Sequence, residues 1–187
     1  MSQILSVPAA DAALISLDAA VNPFVKQAVA YWRSVRGERR FPARADLTLR
    51  GMAAILPYVV IVAVIGEGAD FEYRYAGEAQ RIAFKVPLKG IRVTQIEAVL
   101  PKLGHVLRGV YEQVRAQAVP LLVRGRVDHE PANSKLLYHE TAFLPLGADD
   151  AAVDHLLIAG VQIPQPYWDI PPAELSNLTS QIRAEPG

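Results

Sequence analysis

Cysteine does not occur among the 187 residues. Its absence excludes disulfides, thiolate zinc sites, cysteine nucleophiles and flavin photochemistry that runs through a thiol. Net charge is missing too, since nineteen Lys and Arg balance nineteen Asp and Glu. Without an overall field the chain has no long-range attraction to a nucleic-acid backbone or an anionic membrane, so neither partner is expected. No apolar run reaches the ~20 residues that a bilayer requires; the longest, 55–65, contains Pro57 and stops at Gly66. The first twenty residues hold Asp11 and Asp18 but no basic residue, unlike a secretory signal, and a cytoplasmic location is expected. Nucleophile-elbow, Walker, zincin and dinucleotide motifs are all absent, and Gly66, Gly68, Gly77 and Gly90 fall where turns are needed.

What remains is a chain 51% hydrophobic and 20% charged, long enough for one domain with a sizeable core. Asn22 and Pro23 followed by Val25, Ala28, Val29, Trp32 and Val35, then Gly37, predict an amphipathic helix over 22–36. A weaker helical segment is expected over 8–20, and 37–46 reads as a basic loop carrying Arg39, Arg40 and Arg44. The run YVVIVAVI and the alternating FEYRYA predict a hairpin over 58–76. A short helix over 78–84 and a longer one over 106–118, stopped by Pro120, precede three strands at 121–127, 135–144 and 155–163. This order is α+β, with helices segregated on one face of an antiparallel sheet. The domain organisation expected is an N-terminal extension over 1–21, a domain over 22–163 and a proline-rich tail over 164–187.

Candidate chemistry is sparse. His129, His139 and His155 each neighbour an acid, Asp128, Glu140 and Asp154, but adjacent strand residues point to opposite faces, so no dyad is read from them. Metal-ligand spacing is lacking, and no catalytic or metal residue is assigned. Glu140 sits mid-strand among apolar residues and calls for a cation, which Arg74 or Arg124 on a neighbouring strand would supply. Tyr73, Tyr75, Phe84 and Tyr111 lie on the sheet and on the helices that should cover it. Buried tyrosine hydroxyls need partners and often mark the polar end of a small-molecule cavity. Alternation predicts Tyr73 and Tyr75 beneath the helices, with Glu72 and Arg74 facing away. On the first helix Val25, Val29 and Trp32 form one stripe and Phe24, Ala28, Tyr31 and Val35 another. Two stripes predict homodimerisation through 22–36, with a partner protein meeting the same surface.

Several segments together are more specific than a fold class: Trp32 to Gly37, Pro42 to Asp46, Leu56 with Pro57, the strand end Tyr73 to Gly77, and Leu144 to Leu146. Over 22–163 the chain resembles the proteobacterial single-domain PAS family, type 5. The resemblance implies a PAS fold: a five-stranded antiparallel sheet of order 2-1-5-4-3, helices on one face and an extra N-terminal helix outside the sheet. It implies a non-enzymatic sensory or regulatory module of bacterial signalling, binding a small molecule, a partner protein or both. The expected ligand-contacting residues are Tyr73, Tyr75, Phe84, Tyr111 and His139. No cofactor is expected; the family's haem-binding members take an axial histidine from the helix facing the pocket, a place His105 would fill. With no output domain expected behind the last strand, a signal would pass by contact. The alternative is a small α+β cavity enzyme or carrier, of the cystatin-like isomerase or hydratase type, using His139 with Glu140 or Asp128 as acid-base groups.

Overall fold

The computed structural model describes residues 13–84, 87–127 and 137–164. Its strands are β1 (Ala13–Ile15), β2 (Val59–Ile65), β3 (Asp70–Ala76), β4 (Leu121–Val127), β5 (Leu137–Leu146) and β6 (His155–Pro164). The helices are α1 (Pro23–Arg36), α2 (Leu49–Met52), α3 (Glu78–Phe84), α4 (Val93–Val99) and α5 (Pro101–Gln117). All strands join one antiparallel sheet of order β1-β4-β5-β6-β2-β3. The five long strands have the expected order 2-1-5-4-3 when numbered from β2, and the three-residue β1 extends the edge beside β4. The helix expected over 8–20 is therefore replaced, within the described residues, by β1 and a single 3-10 turn at Leu17–Ala19. β4 offers Ala13–Ile15 an unpaired edge, and pairing there replaces the helix. Most of the 164–187 tail, the stretch 128–136 with His129, and residues 1–12 lie outside the described residues.

Helix α1 forms for the reasons its sequence announces. Asn22 Oδ1 accepts the Phe24 N–H at 3.0 Å, Pro23 takes the first turn, and Gly37 closes the helix at φ 58°. It lies on one face of the sheet, and α5 on the other. Pairing across β2, β6 and β5 puts Ile61, Leu157 and Leu144 on the α1 face. Val62, Leu156 and Pro145 share the α5 face. Trp32, 2% exposed, donates its indole N–H to the Pro145 carbonyl at 2.8 Å.

Two helical features depart from expectation. Helix α4 was not anticipated, and α5 begins at Pro101 rather than near Val106. Leu100 breaks the helix and Pro101 restarts it, the position where a missing N–H is harmless. Gly104 then lets the two helices approach, because a Cβ there would collide with the Glu97 backbone. Of the second α1 stripe, Ala28 is buried, Phe24 stacks on Tyr58 with centroids 4.0 Å apart, and the Tyr31 hydroxyl accepts the Thr48 N–H at 2.9 Å. Most of the stripe that suggested a dimer face is thus met within the chain.

Candidate functional site

Beneath α5 the sheet contributes Phe71 and Tyr73 from β3 and Phe143 from β5, all buried. Helix α5 presents Val110, Tyr111 and Val114 to them, spaced to fall on one side. The Tyr111 ring meets Phe71 edge-on, with centroids at 5.4 Å, and Phe143 at 6.1 Å. The hydroxyls of Tyr73 and Tyr111 lie 3.0 Å apart in a buried hydrogen bond. Burial pushes the Tyr73 hydroxyl up to about 12, although the bond from Tyr111 pulls the other way. Tyr111 is driven well above the ordinary tyrosine value by burial and by the neighbouring Tyr73. Both are neutral donors at any physiological pH. A pair of hydroxyls holds two protons, and the mutual bond uses only one of them. Neither hydroxyl has a further hydrogen-bond partner among the described residues, so one O–H remains available to an acceptor at this spot.

Tyr75 does not join them. Ile61 pairs with Tyr75 and Val62 with Tyr73, a register shift that leaves exposed Arg74 as an extra residue. Neighbours on β2 face opposite ways, so this bulge turns Tyr75 to the α1 face and corrects the expectation that Tyr73 and Tyr75 share a side. The Tyr75 hydroxyl donates to the Leu56 carbonyl at 3.2 Å instead. Glu72 does face away from α5, pairing with Arg74 at 2.9 Å and Arg92 at 3.5 Å. Phe84 ends α3, half-buried against the core. His139 shares the α5 face with Phe143, four residues or roughly 13 Å further along β5. Its Nδ1 lies 3.4 Å from Thr141 Oγ1.

Glu140, next to His139, points to the other face and is fully buried. Arg124, its direct partner on β4, donates from Nε at 2.8 Å, as the cross-strand expectation required. The same carboxylate accepts the Val21 N–H at 3.0 Å and the Asn22 N–H at 2.9 Å, while Arg124 reaches the Ala19 carbonyl. Glu140 thus latches the entry of α1 to the sheet, and its oxygens are committed on the side away from His139. The two do not converge as an acid-base pair, and Asp128 lies outside the described residues. His155 departs from expectation differently: its Nδ1 is 2.7 Å from Asp154 Oδ1. Asp154 precedes β6 and is not bound by strand alternation. The pair lies at the surface, with the carboxylate also receiving the Ala148 N–H. His105 is exposed on α5 rather than turned toward the sheet. Among the described residues no three His, Asp or Glu side chains cluster to hold a metal.

A network that sequence reasoning missed holds the helices over this core. Asp70 accepts the Thr94 hydroxyl at 2.6 Å and the Phe71 N–H at 2.8 Å, with Arg108 of α5 at 3.6 Å. Burial would raise its carboxyl, but the bonds from Thr94 and Phe71 and the nearby guanidinium outweigh that and hold it below the usual carboxylate value. Arg108 also donates to Glu97 Oε2 at 3.1 Å and to the Ala69 carbonyl, so β3, α4 and α5 are joined at one point. No short motif announces three residues so far apart in the chain.

No helix in the described residues is long and apolar enough to cross a membrane. Comparison with curated proteins and with solved structures found no match. The sequence profile of the PAS domain family matches residues 22–161, from the cap of α1 into the last strand. That span covers the five-stranded sheet in its expected order, with α4 and α5 on one face and α1 on the other, and the chain belongs to the PAS domain family.

Proposed function

We propose that this PAS domain is a sensory module that takes up a small molecule at the Tyr73–Tyr111 hydroxyl pair beneath α5 and transmits the event by contact to a partner protein. The observation that carries the reading is the hydroxyl proton left over from the pair: a buried donor without an acceptor is costly, and a ligand carbonyl or carboxylate would satisfy it. The aromatic walls, Phe71 and Phe143, suit an apolar body attached to that acceptor. Phe84, half-buried at the end of α3, and His139, on the α5 face of β5, would extend the contact for a longer ligand; Tyr75 is left out because it faces α1. His139 and Glu140 diverge, which favours sensing over acid-base turnover.

Thermal-shift screening against small metabolites tests the proposal, with Tyr111→Phe as the comparison. A ligand at about a hundred times its Kd should raise the melting temperature by roughly 5–10 °C. The same ligand should lose most of that shift in the variant, which keeps the ring and removes one hydroxyl. Hits that stabilise the variant equally would move the site elsewhere. For a homodimer through α1 the helix offers less free surface than its sequence suggested, and sedimentation of the full chain reads whether the remainder suffices.

A further inference from the structure

On the α1 side of the molecule, the end of that helix and the turn between α5 and β4 bound a groove of about 380 Å³. Trp32 reaches it from α1, and Leu17, Val119 and Pro120 supply apolar walls, Val119 being 49% exposed. Arg33, Arg36 and Arg40 also line it. Arg33 is paired with Asp18 at 2.7 Å. The other two guanidiniums form no ion pair among the described residues, although the Arg40 backbone N–H donates to Asp150 Oδ1 at 2.9 Å. The Arg36 guanidinium stands over the Trp32 ring, 5.4 Å from its centroid, and its Nε is buried without an acceptor. Arg40 is 5.8 Å over Phe41 and spends its side chain on two long contacts of 3.4 Å, to the Asp150 and Gln117 carbonyls.

Two guanidiniums without an ion pair, one of them held only by long bonds to carbonyls, form with the apolar floor a cationic and hydrophobic surface of small-molecule size, near the lower end of the ~300–1,000 Å³ range of ligand sites. Stacking on an aromatic face fixes a guanidinium's orientation, so less freedom is lost when its terminal nitrogens meet an oxyanion. Charge complementarity selects the occupant. We propose that this groove is a second binding site, for a small organic carboxylate whose head group meets Arg36 and Arg40 and whose aromatic or aliphatic body lies on Leu17, Val119 and Pro120. The site is independent of the Tyr73–Tyr111 pair, which lies across the sheet. A chain with no net charge would then read anionic metabolites through one local concentration of positive charge.

The test is a ¹H–¹⁵N NMR titration of the full chain with 2-naphthoate, with neutral 2-naphthalenemethanol and inorganic phosphate as comparisons. Saturable shifts are expected at the Trp32 indole N–H and the Ala118 and Val119 amides. Binding should weaken about tenfold or more in Arg36→Met, which keeps an apolar stem over Trp32, and likewise in Arg40→Met. The neutral alcohol and phosphate alone should each bind about tenfold or more weaker than naphthoate, a comparison that needs no variant. Naphthoate binding at this groove is read only at Trp32, Ala118 and Val119, so a response confined to residues beneath α5 counts as the other site and not as this one. Equal binding of the alcohol and the carboxylate, unchanged affinity in both arginine variants, or no saturable shift at Trp32 and Val119 would overturn the proposal.

Discussion

Replacing Glu140 by Ala should uncouple α1 from the sheet. The carboxylate is fully buried and accepts from Arg124 Nε at 2.8 Å and from the Val21 and Asn22 N–H groups at 3.0 and 2.9 Å. Its removal leaves a largely buried guanidinium without its partner and two backbone donors without acceptors. Breaking a buried pair from one side costs about 3–5 kcal/mol, a large share of the ~5–15 kcal/mol that holds a domain together. In a chain of this length that corresponds to a fall in melting temperature of about 10 °C or more. Removing both partners should cost less than the two single losses added, because Arg124→Ala takes away the stranded cation; a coupling of about 2 kcal/mol is expected. Denaturant unfolding of the wild type, both single variants and the double variant measures it. A Glu140→Ala loss below about 1 kcal/mol, or strict additivity, would refute the latch.

Other outcomes follow from the same contacts. Tyr73 is raised in the folded chain to about 12 from an unfolded value near 10, so its contribution is complete below about pH 10 and is lost as pH rises toward 12. The loss approaches about 3 kcal/mol from Tyr73 alone, Tyr111 acts in the same direction, and Tyr73→Phe with Tyr111→Phe should flatten the alkaline limb of a stability–pH curve. Ala118 ends α5 at φ 52°, a left-handed conformation that suits glycine, so Ala118→Gly should stabilise by about 1 kcal/mol in denaturant unfolding; a loss of stability would contradict it. Asp70 is depressed, so its stabilisation is present above the unfolded value and disappears as pH falls through the folded one; Asp70→Asn should remove that part of the acid dependence, and an unchanged acid limb would count against the network.

The long elements were legible because their signals are local. Asn22, Pro23 and Gly37 mark both ends of α1, and the β-branched run of β2 reads as a strand buried on both faces. The Glu140–Arg124 pair could be anticipated because a carboxylate in the middle of a buried strand demands a cation, although the latch on Val21 and Asn22 could not. Arg74 shows why the site was only half readable: alternation says which residues share a face only while the ladder is regular, and one extra residue sent Tyr75 to the other side. Helix α4 has only seven residues, about two turns, too few for periodicity to stand out. The network of Asp70, Thr94 and Arg108 joins residues 24 or more positions from Asp70, a contact that only the packed fold creates.

The most direct test of the sensory reading is a crystal structure of the chain bound to a metabolite that raises its melting temperature. A ligand oxygen or nitrogen within hydrogen-bond distance of the Tyr73 or Tyr111 hydroxyl, with the apolar part against Phe71 or Phe143, is the predicted result. Density for the ligand only elsewhere, with the two hydroxyls still bonded to each other and packed as before, would contradict it.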